Sequence, residues 1–330
     1  METLAIAQIC APRAFVQRSA VVKRVSIPTM SGIGKDVVIQ WSVTLLFSSI
    51  PVNSPLPHLT LADILDRTIE LSHTAATILK SYYRGSREQL EVLDKTEGPV
   101  TVADKAVDRH LLEGIQAMCG DSCGYLTEET YQTGDLELAQ DWVWIIDPLD
   151  GTQDFIDKTG EYAIHIALTY QHRPVLAVVT VPESDRLYAA IEGGGTWQVT
   201  VVGMRKPVQI ARTKKLTELI VVASRNHRSK GLIKLLAQLP CQQQLEVGSI
   251  GCKIASILEH DADLYVSLSG TSAPKDWDLA APELILTEAG GKFTHQDGSP
   301  LKYNQGDVSQ WGCLIASSGE WHQQLLDACI

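Results

Sequence analysis

The chain has 330 residues, 45% of them hydrophobic and 20% charged. That length accommodates one large domain or two modest ones, with ample material for a core. A net charge of −11 at pH 7 argues against a surface for nucleic acid or an anionic membrane, and leaves a small anionic substrate open, because divalent cations held by acidic residues would present positive charge locally.

Residues 1–57 differ in character from the rest of the chain. No acidic residue lies between Glu2 and Asp36, whereas Arg13, Arg18, Lys23, Arg24 and Lys35 are basic. Two readings stand side by side: a transit peptide, which would imply a plastid, or an upstream start with the true one at Met30 or later. Either way the segment is an N-terminal extension outside the fold. The folded part is expected to begin near His58.

Leu61, Ile64, Leu65, Thr68, Leu71, Ser72, Ala75, Ala76 and Leu79 recur at helical spacing and predict a long helix ending near Tyr83, with Thr60 and Asp63 as cap and first-turn acid. Gly98-Pro99 marks a turn. A second helix is predicted over 104–118, with Val107, Leu111, Leu112 and Ile115 on one face. Strands are predicted at 143–146, 163–170, 175–181 and 186–191, the middle two joined at His172-Arg173-Pro174. Gly193-Gly194-Gly195 reads as a loop. Beyond residue 213 the rhythm alternates: strand 219–223, helices 230–238 and 249–259, strand 262–267, helix 279–288, strands 292–294 and 312–316, helix 320–329. The fold class is therefore α/β, an α+β half over 58–212 and then an α/β half over 213–330, with a cleft between them.

The seven cysteines, Cys10, Cys119, Cys123, Cys241, Cys252, Cys313 and Cys329, are odd in number and scattered. Cys119 and Cys123 lack the second pair or histidines of a zinc site. Free thiols in a reducing compartment, the cytoplasm, are expected. No apolar run reaches the roughly 18 residues of a spanning helix, so no membrane partner is expected.

The chemistry concentrates at Asp147-Pro148-Leu149-Asp150-Gly151-Thr152, directly after an apolar strand. Pro148 fixes φ in the turn, and Gly151 lets backbone approach a ligand. Two carboxylates this close repel unless a cation lies between them, and hard oxygen ligands suit Mg²⁺. The bare pattern also fits an ordinary surface turn. Further candidates are Asp104 at a helix start, Glu128 at a strand end, and Asp278 as the N-cap of a helix whose first turn tolerates Pro282. Singly, Asp104 and Asp278 read as caps and Glu128 as a surface acid.

Together and in this order, Glu128-Glu129, Asp147 to Thr152, Trp277-Asp278-Leu279-Ala280-Ala281 and Glu288-Ala289-Gly290-Gly291 resemble the inositol monophosphatase superfamily of lithium-sensitive, Mg²⁺-dependent phosphomonoesterases, from about residue 60 to the end. The resemblance implies a layered αβαβα sugar-phosphatase-like fold, with the metal-binding machinery in the first half and substrate binding in the second. It implies two or three Mg²⁺ ions held by Glu128, Asp147, Asp150, Asp278 and the Leu149 carbonyl. Asp104 and Thr152 would activate the attacking water, and the Gly151 and Thr152 amides and Asp278 would face the substrate.

Within the superfamily the chain is most similar to the 3′(2′),5′-bisphosphate nucleotidases, which convert adenosine 3′,5′-bisphosphate to AMP. The shared features are Ala223-Ser224-Arg225-Asn226-His227-Arg228, Gly248-Ser249-Ile250-Gly251-Cys252-Lys253 and Ala281-Pro282-Glu283. Asn226 stands where Ser is usual, and Ser249 where some members have Gly. Ser224, His227, Ser249 and Lys253 would contact the nucleotide, with Lys253 or Arg228 near the second phosphate. A homodimer is common in the family. The alternatives are an inositol monophosphatase and, less favoured, an inactive scaffold. Taken without the resemblance, His227 could be a loop histidine and Lys253 a solvated helix residue.

Overall fold

The computed structural model describes residues 54–330 other than 96–97, 133, 135–136, 211–213, 227, 240 and 329–330. Nearly all of the expected N-terminal extension, residues 1–53, and the proposed substrate contact His227 thus lie outside the described residues. Leu56 is buried, so packing begins slightly before His58.

The first helix, α1 (Leu61–Tyr83), forms where the apolar period predicts it, and Thr60 and Asp63 close a capping box at its start. The expected turn at Gly98-Pro99 instead belongs to a short hairpin, β1 (Leu93–Lys95) and β2 (Gly98–Val100). Helix α2 (Val102–Cys119) starts two residues early because Thr101 is its N-cap. Asp104 is the third helical residue, reaching back to the cap rather than forming it.

A seven-stranded sheet is built in chain order from β3 (Gly124–Thr127), β4 (Trp142–Asp150), β5 (Ala163–Tyr170), β6 (Arg173–Val181), β7 (Arg186–Ile191), β8 (Gly195–Val199) and β9 (Arg205–Val208). The short helix α3 (Thr152–Ile156) interrupts it after β4. Strand β3 is parallel to β4 and every other pairing is antiparallel. Tyr170 pairs with Arg173, so the β5–β6 turn is Gln171-His172, both with positive φ, and Pro174 is already in the strand. Between Asp147 and Asp150 the β4–β5 register slips, at the point where Pro148 has no N–H for the ladder.

The second sheet runs β11-β10-β12-β14-β13 and comprises β10 (Ile220–Ser224), β11 (Gln243–Val247), β12 (Leu264–Leu268), β13 (Lys292–His295) and β14 (Cys313–Ser317). Helices α4 (Lys230–Gln238), α5 (Ile250–Leu258), α6 (Asp276–Glu288) and α7 (His322–Ala328) connect and cover it.

Side-chain alternation along the strands sets the layering. Ala177 and Val179 on β6, with Val222 on β10 and Tyr265 on β12, share one core with α5 and α6, which lie between the sheets. Val221 and Ala223 turn the other way, toward Leu232 and Leu236 of α4 and Leu325 and Leu326 of α7. On the far face of the first sheet, α1 packs over β6, where the Ser72 and Thr180 hydroxyls meet at 2.6 Å. Helix α2 packs over β4. The order is α1 and α2, sheet, α5 and α6, sheet, α4 and α7: the expected αβαβα sandwich.

Helix α6 departs from expectation at its start. Lys275 is the N-cap and Asp278 the third helical residue, accepting from the Lys275 amide at 2.7 Å. Pro282 is therefore the seventh residue, inside the helix rather than in its first turn, and offers no N–H to the Asp278 carbonyl. Glu283, buried on the same helix, accepts from Tyr303 at 2.8 Å and pairs with Arg173. Glu288 holds the glycine loop by accepting from the Gly193 and Gly195 amides at 2.9 and 2.8 Å.

Candidate active site

Parallel pairing of β3 with β4 places the ends of the two strands side by side. Thr127 is opposite Ile146, and the Glu128 amide donates to the Ile146 carbonyl at 3.2 Å. Glu128 and Asp147 thus leave adjacent strands at one level, close enough for the Glu128 charge to raise the pKa of Asp147. Asp147 is buried, and its Oδ1 accepts the Leu149 amide at 2.9 Å. From the other sheet's side, α6 delivers Asp278. Asp147, Asp150 and Asp278 each offer a carboxylate oxygen, and these oxygens lie within 4.8 Å of one another.

Such a cluster resists ionisation. Burial, then the charges of Asp278 and Asp104, hold Glu128 well above the usual carboxylate range. Burial, then Glu128 and Asp150, do the same to Asp147. Asp278 is pushed up to about 6, by burial first and Asp150 second. Asp150 goes the other way: burial opposes its charge, but His165, Lys253 and Ser249 outweigh burial and keep it ionised. Hard oxygen donors crowded at this spacing, and penalised for their mutual charge, are what a divalent cation relieves. The donor set therefore fits Mg²⁺.

Beside the cluster, Asp104 and Thr152 meet across two helix starts. Asp104 Oδ2 accepts the Thr101 amide at 2.8 Å and its hydroxyl at 2.6 Å, closing the α2 capping box. The other oxygen, Oδ1, faces Thr152 Oγ1 at 3.2 Å. Thr152 Oγ1 also lies 3.1 Å from the Leu149 carbonyl, so one hydroxyl proton has two acceptors. Burial, partly offset by the Thr101 hydrogen bonds, raises Asp104 to about 6. Gly151 makes the turn into α3 with φ 90°. A Cβ there would sit 2.9 Å from the Glu161 carbonyl and 3.1 Å from Ser249 Cβ, so only glycine fits on both counts.

Of the expected substrate residues, Ser224 ends β10, half-buried. Ser249 caps α5 and is fully buried. Its hydroxyl donates to Asp150 Oδ2 at 2.5 Å and accepts the Cys252 amide at 3.1 Å. Lys253 is 1% exposed, which rules out a solvated helix residue. Its Nζ donates to the Gly248 carbonyl at 2.5 Å and lies 5.6 Å from the Tyr265 ring centre. Arg228 is ion-paired with Glu246. A cavity of about 340 Å³ lined by Tyr131, Leu138 and Asn304 includes none of the candidate carboxylates.

Two features escaped sequence reasoning. Asp154, buried, accepts from Asn226 at 2.8 Å and from Thr159 at 3.0 Å and pairs with Arg225, while Glu161 accepts from Arg225 and from the Gly248 amide, both at 2.9 Å. This knits the Asp147–Thr152 segment to the loop after β10 and the turn before α5. A Cβ on Gly248 would fall 1.9 Å from Asp154 Oδ2. The second feature is His165, buried in β5 beside Asp150. Its one signal in the sequence was a titratable residue inside an otherwise apolar strand.

The description "Inositol monophosphatase family" matches residues 61–329. The chain is 33% identical to the 3′(2′),5′-bisphosphate nucleotidase CysQ of Salmonella typhimurium over 242 residues, 73% of this chain and 94% of that protein. It is 32% identical, with the same coverage, to CysQ of Escherichia coli K12. Among solved structures it resembles an inositol monophosphatase from Anabaena (TM-score 0.64, 26% identity, 81% of this chain and 95% of that one). It also resembles CysQ from Bacteroides thetaiotaomicron (TM-score 0.64, 27% identity, 78% and 98%).

Proposed function

The chain belongs to the inositol monophosphatase family, and from that membership we propose that it is a Mg²⁺-dependent phosphatase that removes the 3′-phosphate of adenosine 3′,5′-bisphosphate. The observation that carries the phosphatase reading is the convergence of Asp147, Asp150 and Asp278 within 4.8 Å, beside the Asp104–Thr152 pair. The bisphosphate reading rests on similarity to the CysQ nucleotidases over nearly their whole length.

Asp147, Asp150, Asp278 and Glu128 would hold the cations, with the Leu149 carbonyl as a further ligand, its second lone pair left after Thr152. Bound Mg²⁺ supplies neutralisation of the phosphate dianion and a lower pKa for coordinated water. The chain's own part is positioning and proton transfer. Thr152 donates its hydroxyl proton to Asp104 or Leu149, leaving the Oγ1 lone pairs to accept from a water. Asp104, raised to about 6, is ionised at neutral pH yet basic enough to take the proton that water gives up. The Gly151 and Thr152 amides, at the start of α3, would donate to phosphate oxygens. Ser224 and His227 would contact the nucleotide, and Lys253 and Ser249 would act from beneath through Asp150 and Gly248. A reducing compartment such as the cytoplasm is the location proposed, on the odd number and scattered spacing of the cysteines. Among the described residues no helix is long and apolar enough to cross a membrane.

Inositol monophosphatase activity is the second reading, favoured by the likeness to the Anabaena enzyme. The test is kcat/KM for adenosine 3′,5′-bisphosphate and inositol 1-phosphate on one preparation, with and without excess EDTA. Preference for the nucleotide, abolished by EDTA, is expected. Preference for inositol 1-phosphate would overturn the substrate, and turnover in EDTA would overturn the metal. No phosphate release with either would favour a scaffold.

A further inference from the structure

His165 is an unusual occupant of its strand. Its neighbours in β5 are apolar and buried, and its own exposure is 0%. In the register with β4 it stands opposite Asp147, and it points into the layer between the sheets together with Ala163 and Ala167. There the ring meets two acceptors. Nδ1 lies 3.3 Å from the Trp277 carbonyl, the peptide group just before Asp278. Nε2 lies 3.2 Å from Asp150 Oδ2, at ion-pair distance but without hydrogen-bond geometry. The surroundings make room for it: a Cβ on Gly251 would fall 2.4 Å from Nε2.

Asp150 Oδ2 is thereby enclosed. It accepts the Ser249 hydroxyl at 2.5 Å and the Gly251 amide at 2.8 Å, and His165 closes the third side. A carboxylate oxygen surrounded in this way has its lone pairs taken up by protein donors, so Oδ1 is the Asp150 oxygen that would serve a cation.

We propose that His165 is a positioning residue that spaces two metal-binding carboxylates, fixing Asp150 at the end of β4 directly and Asp278 at the head of α6 through the Trp277 carbonyl. The inference rests on the cation-binding reading of the cluster and adds to it. Asp150 and Asp278 come from different sheets' connections and share no backbone pairing, so a side chain touching both segments sets their separation. Groups that orient metal ligands from behind typically affect metal affinity by about 10- to 100-fold.

The test uses the full-length, chelator-treated protein and titrates Mg²⁺ by calorimetry, which reads binding without turnover. His165→Leu fills the space with no donor. His165→Gln places an amide donor near the Nε2 position, and His165→Asn places one near Nδ1. Leu should weaken Mg²⁺ binding by about 10- to 100-fold, Gln should recover most of that loss, and Asn should recover part. In turnover assays the Leu variant should need more Mg²⁺ for half-maximal rate, with kcat largely restored at saturating Mg²⁺. If His165 served only packing, Leu would bind Mg²⁺ as well as Gln does, and that result overturns the proposal. Undiminished affinity in all three variants overturns it equally, while leaving the metal site itself standing. A wild-type protein that binds no Mg²⁺ brings down both readings together. Should the Leu variant fail to fold, the Gln and Asn pair still decides: both must bind more weakly than wild type, and Gln more tightly than Asn.

Discussion

Thr152 Oγ1 lies 3.2 Å from Asp104 Oδ1, a contact between residues 48 positions apart that joins the start of α3 to the start of α2. Each residue is held by its own helix start: Thr152 comes directly after the Gly151 turn, and Asp104 reaches back to cap α2 through Thr101. The two groups are already in contact without substrate, the arrangement that proton transfer requires.

Thr152→Ala and Asp104→Asn should therefore lower kcat by roughly 10²- to 10⁴-fold with little change in KM. Asp104 must be ionised to accept a proton, so activity should fall as pH drops below about 6, and the residual activity of Asp104→Asn should lack that limb. Steady-state kinetics from about pH 5 to 8 checks both. A change confined to KM would show that the pair binds substrate instead.

The carboxylates make stability depend on pH in a definite sense. Asp104 and Asp278 rise to about 6 and Asp276 to about 7, all from an ordinary 3.8. Between the ordinary and the raised values the folded state binds more protons than the unfolded state. Their contribution is fully present below about pH 4 and is lost as pH rises through about 6 to 7. Metal-free protein should melt at lower temperature near pH 8 than near pH 6, and Mg²⁺ should raise Tm more at the higher pH. Scanning calorimetry with and without chelator reads this. A Tm that Mg²⁺ leaves unmoved at either pH contradicts it.

Lys253 separates substrate recognition from support of the metal site. Lys253 is buried with its Nζ on the Gly248 carbonyl, so its loss removes a charge-assisted hydrogen bond that holds the turn before α5. Such a bond is worth roughly 1.5–3 kcal/mol, so Lys253→Ala should cost about 10- to 200-fold in kcat/KM for adenosine 3′,5′-bisphosphate and for inositol 1-phosphate alike. A loss confined to the bisphosphate would instead put Lys253 on the uncleaved phosphate.

The site was most legible where its residues are adjacent. Asp147, Asp150 and Thr152 come at the end of an apolar strand, and that is where they stand. Helices α1 and α4 were legible because an apolar face repeats along them. Strands β9 and β11 were not, since most of their residues are exposed and they lie at sheet edges, leaving no buried alternation to read. Asp104 and Asp278 were assigned to helix starts but to the wrong position. A carboxylate at the third residue caps as well as one before the first, and only the backbone distinguishes them. Pro282 misled for the same reason. His165 meets partners 15 and 112 positions away, and Asp154 and Arg225 pair across 71, and no local pattern announces such contacts.

The register slip after Asp147 carries a consequence for the chain's tolerance of length change. Three steps along an unbroken strand send side chains to opposite faces. On β5 only two steps, from His165 back to Ala163, span what β4 covers in three, from Asp147 to Asp150. The surplus residue restores parity, so an odd spacing on β4 behaves as an even one. Deleting a single residue at Pro148 or Leu149 would let the ladder zip up regularly, with Asp150 still opposite Ala163. It would also take away the slack that lets the Leu149 amide meet Asp147 and the Leu149 carbonyl meet Thr152. Improved pairing and loss of the site would then arrive together in one variant. The arithmetic of that segment is thus itself a specification, which a frame of one residue more or less would break.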